Sequence, residues 1–245
     1  MAGPKLLLTK DGEKFFIKDS SRDYDNQYGR LLKNDLEQKP GTVITSNTGV
    51  SFVVIDPTFI DRFEKIKRAP QIITLKDIGL IIAETGINRE SSVVDGGAGS
   101  GALCCMLANV CGEVTSYEIR DDFFAVANKN KEMLGLKNLQ VKKGDLYMGI
   151  DEKDVDAITL DLPEPWKVLP HAAKSLKIGG WIVSYSPTVP QMMDFVEGLL
   201  GNKEFVHIKT VELIQRDWDV DGRKVRPKTT QIVHTGFLTF GRRVC

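Results

Sequence analysis

Hydrophobic and polar positions change period along the chain. In the first part the mostly apolar segments are short: Leu6-Leu7-Leu8-Thr9 and Lys14-Phe15-Phe16-Ile17 flank Asp11-Gly12, and Thr42-Val43-Ile44-Thr45 and Phe52-Val53-Val54-Ile55 flank Ser46-Asn47-Thr48-Gly49. Runs of this length bounded by turn residues predict strands, and Asp-Gly predicts a two-residue hairpin loop. Gly29 to Gln38 could form a short helix between the two pairs. Residues 1–57 are therefore expected to form a small β-rich domain, without evident site chemistry of its own.

From Thr58 the period becomes helical, with Phe59, Ile60, Phe63 and Ile66 on one face before the break at Ala69-Pro70. Thr74 is placed to cap a second helix whose apolar positions are Leu75, Ile78, Leu80, Ile81 and Ile82, and Gly86 to end it. Strand and helix then alternate. Ser92–Asp95, Glu113–Glu118, Leu139–Lys143, Val155–Leu160 and Trp181–Tyr185 read as strands; Ala102–Val110, Asp121–Leu134, Trp166–Leu176 and Gln191–Leu200 read as helices. This alternation predicts an α/β fold over residues 58–245, a doubly wound and mostly parallel sheet. At the end, Phe205–Gln215 and Thr229–Phe240 are strand-like with no helix between them, so they are expected to pair as an antiparallel hairpin.

The 245 residues allow one large domain or two unequal ones, and the 33 Lys+Arg cancel the 33 Asp+Glu, so only a local charge pattern could mark a nucleic-acid surface. Cys104, Cys105, Cys111 and Cys245 form no C-x-x-C pair, and no His cluster stands near them, so no structural metal is expected. Small buried thiols suit a reducing compartment, and the chain carries no apolar run long enough for a signal or a membrane span. A soluble cytoplasmic protein is the expectation.

The chemistry concentrates where strands end. Asp95-Gly96-Gly97-Ala98-Gly99-Ser100-Gly101-Ala102 joins a buried strand to a helix, where exposed N–H groups and close approach by a ligand require residues without bulky side chains. Gly97-x-Gly99-x-x-Ala102 also satisfies the dinucleotide pattern, so the glycines alone leave nicotinamide cofactors and S-adenosylmethionine open. Glu118, 23 residues after Asp95, is placed to accept from ribose hydroxyls, and Asp145 can accept from an adenine amino group or simply cap a turn. Asp161-Leu162-Pro163-Glu164-Pro165-Trp166 ends the fourth strand of the sheet, with two prolines fixing its backbone. A carboxylate there would repel a pyrophosphate but suit a cationic sulfonium, which favours adenosylmethionine; a helix N-cap is the plainer role for the same Asp161.

With these residues in order, the sequence resembles the tRNA adenine-58 N1-methyltransferases, particularly the archaeal members. The segments that carry the resemblance are Arg68-Ala69-Pro70-Gln71-Ile72-Ile73, Asp95 to Leu103, Ser116-Tyr117-Glu118-Ile119-Arg120, Leu160 to Trp166, and Arg226-Pro227 through His234-Thr235-Gly236-Phe237. The resemblance implies a class I methyltransferase fold with a small N-terminal β domain, a homotetramer, and methyl transfer from S-adenosylmethionine to N1 of adenine 58, or of 57 as well, in the tRNA T-loop. It further implies that Gln71, Gly97, Gly99, Ser100, Gly101, Ala102, Leu103, Glu118, Asp145 and Asp161 hold the cofactor, with Asp161 also catalytic. Asp95 stands where the family more often has Glu.

N1 is buried within a folded T-loop, so the adenine is expected to be flipped out, and something must grip the RNA. From Gly222 to Cys245 six Lys/Arg occur without any Asp/Glu, which nominates Arg223, Arg226, Lys228 and His234 as phosphate contacts; a solvated basic tail is the plainer reading. Other readings stay open: a noncatalytic cofactor-binding subunit, a methyltransferase for a small molecule or protein carboxyl group, or a nicotinamide oxidoreductase.

Overall fold

The computed structural model describes residues 3–68 and 72–245. The chain divides into two compact units, Met1–Ile66 and Lys67–Cys245.

In the first unit, β1 (Lys5–Leu8), β2 (Lys14–Ile17), β5 (Val43–Thr45) and β6 (Ser51–Ile55) form an antiparallel sheet in the order β2-β1-β6-β5. Their inward side chains, Leu7, Ile17, Ile44, Phe52 and Val54, make a core with Leu31 and Leu36. Both expected hairpins form. The first, however, is closed by a five-residue loop, because Leu8 pairs with Lys14. Within it the Thr9 hydroxyl accepts from Glu13 N–H, and Gly12 adopts φ 84°. The stretch expected as a short helix divides into β4 (Gly29–Leu31), which pairs with β3 (Tyr24–Asn26), and α1 (Lys33–Leu36).

The helix α2 (Phe59–Phe63) belongs to this unit, which moves the division from the expected 57/58 to 66/67. The cause is local. Asp61 accepts from Thr58 N and Oγ1 at 2.9 and 2.6 Å and stands 3.7 Å from Lys14 on β2, so the helix start is tied to the first sheet.

The second unit opens with α3 (Leu75–Thr85), ended by left-handed Gly86 as expected. There follow β7 (Ser92–Gly96), α4 (Ala102–Val110), β8 (Glu113–Glu118), α5 (Asp121–Leu134), β9 (Leu139–Lys143) and β10 (Val155–Leu160). A 3₁₀ turn over Pro165–Val168 leads into α6 (Leu169–Ser175), so the helix expected from Trp166 starts later, with Pro170 in its first turn. Then come β11 (Leu176–Ser186), longer than expected, α7 (Val189–Leu200) and β12 (Phe205–Glu212).

The two terminal stretches pair antiparallel at the sheet as expected, but the second begins later. Between β12 and the last strand the chain forms a separate two-stranded ribbon, β13 (Trp218–Asp221) and β14 (Lys224–Pro227), and β15 spans Phe237–Arg243 instead of beginning at Thr229. Past Pro227 the Lys228 N–H still donates to the Asp217 carbonyl at 2.9 Å, and the residues just before Phe237 use their side chains on other anchors.

The seven-stranded sheet runs β12-β15-β11-β10-β7-β8-β9, parallel from β11 to β9 and antiparallel at β15. Val94, Ile158, Leu160, Ile182, Phe195, Leu199 and Phe205 fill its core. Chain order reverses at β7, and in open α/β sheets ligands bind beyond the carboxyl ends of the strands at that point. Among the described residues no helix is long and apolar enough to cross a membrane, and no cluster of three His, Cys, Asp or Glu side chains is placed to hold a metal.

Candidate functional site

β7, β8, β9 and β10 end side by side, and each delivers a sequence-nominated residue: the glycine loop, Glu118, Asp145 and Asp161. The glycine loop lies against the Asp161 backbone. A Cβ on Gly97 would stand 2.2 Å from the Asp161 carbonyl oxygen, and φ is +86° there, so only glycine lets the two loops meet. Asp161 N–H in turn donates to the Gly96 carbonyl at 2.8 Å. Ser100, Gly101, Ala102 and Leu103 are buried where the loop enters α4.

Glu118 braces this loop. One carboxylate oxygen accepts from Gly99 N–H and the other from Arg120 N–H, both at 2.8 Å. Each oxygen keeps a further lone pair, so the same carboxylate can accept hydroxyl donors. Asp145 is in a turn, as the plainer reading had it: its Oδ1 accepts from Tyr147 N–H at 2.9 Å. The turn leaves the second carboxylate oxygen for a ligand.

Two further carboxylates define the electrostatics. Asp95 is buried within β7 and accepts from Ser116 Oγ at 2.6 Å and Thr159 Oγ1 at 2.7 Å. Burial pushes its carboxyl up to about 6 against the pull of those hydroxyls, and the charge of Glu118 adds to the rise. Asp161 is exposed to solvent at the end of β10, beside the glycine loop. Desolvation, then repulsion from Asp95, raises its carboxyl to about 7. Tyr185, at the end of β11, is raised to about 12 by burial and by the Asp77 and Asp161 carboxylates. An approaching cation would relieve the repulsion between Asp95 and Asp161; a pyrophosphate would add to it.

Gln71 lies outside the described residues. Asn130 on α5 bonds both backbone groups of Lys67 at 2.9 Å and the Ser100 carbonyl at 2.7 Å, pinning Lys67 to the glycine loop. Sequence reading missed Asn130, Ser116 and Thr159. Polar residues at buried positions of a helix and two strands were the available signal.

The nominated RNA contacts are not one cluster. Arg223, Arg226 and Lys228 are exposed on or beside the β13–β14 ribbon, where Arg226 pairs across from Asp219 and Lys224 from Asp221. The acid-free stretch is thus met by the acids of β13. His234 is anchored inside the chain: Nδ1 lies 2.5 Å from a Glu212 carboxylate oxygen and Nε2 3.1 Å from the Pro187 carbonyl. Both partners are acceptors, so both ring nitrogens donate, and the Glu212 bond followed by the Pro187 carbonyl raises its pKa. Thr235 is anchored too, donating to buried Asp77 at 2.9 Å while its carbonyl takes the Tyr185 hydroxyl.

The sheet order, glycine loop and ring of carboxylates define a class I methyltransferase. The chain belongs to the family described as the tRNA methyltransferase complex GCD14 subunit, whose model matches residues 64–229. It is similar to the tRNA (adenine(57)-N(1)/adenine(58)-N(1))-methyltransferase TrmI of Methanocaldococcus jannaschii, at 36% identity over 97% of this chain and 94% of that protein. Among solved structures it is similar to the tRNA (m1A58) methyltransferase TrmI of Aquifex aeolicus, with TM-score 0.85 and 28% identity over 100% of this chain and 98% of that one. It is also similar to a protein of Thermotoga maritima described as an adenosylmethionine-dependent O-methyltransferase, with TM-score 0.90 and 30% identity over 100% of this chain and 94% of that one.

Proposed function

We propose that this chain transfers a methyl group from S-adenosylmethionine to N1 of adenine 58, or of 57 as well, in the T-loop of tRNA, working as a cytoplasmic homotetramer. The observation that carries the reading is the position of Asp161: a carboxylate lining the open end of the sheet, its backbone pressed against Gly97 of a glycine loop. The residues present fit the cofactor. The Gly97, Gly99, Ser100, Gly101, Ala102 and Leu103 backbone forms the cradle, with Gln71 assigned beside it by family resemblance. Glu118 has lone pairs for the ribose hydroxyls and Asp145 for the adenine amino group, while Asp95 and Asp161 supply negative charge at the methionine end. When bound, S-adenosylmethionine supplies an already activated methyl group.

The remaining work falls to this chain's own side chains. Asp161 accepts from the N6 amino group of a flipped adenine, which turns N1 toward the methyl donor, and its charge stabilises the positive charge that arrives on the ring. Arg223, Arg226 and Lys228 hold RNA phosphates. His234 instead anchors the segment before β15, its two ring donors being engaged within the chain.

Incubation of unfractionated tRNA with the protein and labelled S-adenosylmethionine, followed by nucleoside mapping, tests the reading. Label in N1-methyladenosine at positions 57 or 58 is expected. Label confined to ribose or other hydroxyl oxygens, or none in tRNA, would overturn it.

A further inference from the structure

The loops that leave β7, β9 and β10 are joined at three close approaches. Leu146 Cδ1 occupies the space where a Gly96 Cβ would lie, 2.1 Å away, and the Asp161 carbonyl does the same at Gly97, 2.2 Å away. In the third, Tyr147 Oη accepts from Glu164 N–H at 3.0 Å. This last bond is the informative one. Glu164 stands between Pro163 and Pro165, neither of which has an N–H, so its amide is the donor available to fix this part of the Asp161 loop. Asp161 N–H is already bonded to Gly96, and the Pro163 carbonyl accepts from Gln191 Nε2 at 3.1 Å.

Tyr147 is itself held on three sides. Its N–H donates to Asp145 Oδ1 at 2.9 Å, its carbonyl accepts from His171 Nε2 at 3.0 Å, and its half-buried ring packs on the core beneath the site. One residue thereby connects the carboxylate assigned to the cofactor adenine with the loop assigned to the chemistry.

We infer that Tyr147 is a positioning residue for the reaction: its hydroxyl fixes the Glu164 amide and so holds the Asp161 carboxylate in register with the ligand bound at Asp145. Tyr147 touches no reacting atom and acts through Asp161. The inference rests on the reading of Asp161 given above.

Single-turnover methyl transfer, at saturating S-adenosylmethionine and tRNA, is compared for the parent, Tyr147→Phe, Asp161→Asn and the double variant. Phenylalanine keeps the ring and removes only the hydroxyl. A loss of about tenfold is expected for Tyr147→Phe, in line with the sensitivity of rate to small misplacements. Dissociation constants for both substrates should stay within about twofold of the parent. The double variant should be no slower than Asp161→Asn alone, since a group that acts through Asp161 has nothing to position once its charge is gone. A Tyr147→Phe rate equal to the parent, or the same loss in both backgrounds, overturns the positioning role and leaves the Asp161 reading intact. An Asp161→Asn rate equal to the parent overturns the reading of Asp161 itself, and the positioning role with it.

Discussion

Charged side chains crowd both the carboxyl end of the parallel sheet and the β13–β14 ribbon, but the surroundings treat them in opposite ways. Among the described residues, Asp95 takes two hydroxyls at the sheet end, Glu118 two backbone amides and Asp145 one amide, while Asp161 takes none. On the ribbon Arg223, Arg226 and Lys228 stand in solvent, with the acids of β13 across the ladder. Neighbours determine the charge state in the first region, whereas water and salt set the strength of interaction in the second. Substitutions at the sheet end should therefore alter binding geometry and pH dependence, and those on the ribbon should alter salt dependence.

The sharpest contrast comes from two glycines. Gly97→Ala puts a Cβ 2.2 Å from the Asp161 carbonyl at φ +86°, so the two loops must part; Gly222→Ala, at φ +55° in the ribbon turn, meets nothing within 4 Å. Gly97→Ala is expected to abolish the thermal stabilisation given by S-adenosylmethionine and to lower methyl transfer by more than about 100-fold. Gly222→Ala should cost only the left-handed strain of about 1 to 2 kcal/mol in that turn and leave cofactor stabilisation unchanged. Equal effects at the two positions would remove the contrast.

Next in size is Asp161→Asn, which preserves shape while replacing an acceptor-only carboxylate by an amide. Single-turnover methyl transfer should fall about 100-fold at saturating cofactor, the typical loss for one preorganised electrostatic group. The tRNA affinity should be unaltered.

How the two regions could be read from sequence differs for the same physical reason. β7, β8, β9, β10, α4 and α5 follow their apolar runs closely, because burial on the sheet demands apolar positions and glycines mark the turns. Glu118 and Asp161 stood out as acids at the ends of such runs. The ribbon was missed because its strands bury no face: Trp218 to Asp221 and most of Lys224 to Pro227 are exposed, leaving no alternation to detect. His234 looked like part of a basic stretch, and only the fold brings Glu212 to its ring. Tyr147 and Asn130 act through partners 17 and 30 or more residues away, which local pattern does not report.

A third expectation follows from the crowding at Asp161. Its raised carboxyl, at about 7, is protonated on the acid side, and the protonated form can neither accept fully from adenine N6 nor stabilise positive charge. Single-turnover rates at limiting S-adenosylmethionine, which report the unliganded protein, should therefore rise with pH through about 7 and level off above it, falling about tenfold per pH unit well below. That acid limb should vanish in Asp161→Asn. A limb that persists in the variant would belong to another group, Asp95 being the next candidate with its carboxyl at about 6.

The smallest effect, and the one that separates two members of the same basic stretch, is expected on the ribbon side. Arg226 is exposed, and removing a single phosphate contact there should weaken tRNA binding by only several-fold at moderate salt. Its signature lies in the slope: a plot of log affinity against log salt should lose about 1 unit in Arg226→Ala, because one fewer counterion is released. S-adenosylmethionine affinity should be unchanged. His234→Gln makes the opposite case, since its ring donates to Glu212 and to the Pro187 carbonyl and is committed before any RNA arrives. Its salt slope should match the parent, while its thermal midpoint falls because the Glu212 carboxylate loses a charged partner. If His234→Gln lowers the slope as Arg226→Ala does, the histidine faces phosphate despite its anchors, and the solvent-governed region reaches to the start of β15. If neither variant changes the slope, the tRNA phosphates are held by other lysines and arginines, and the ribbon's charge serves solubility alone.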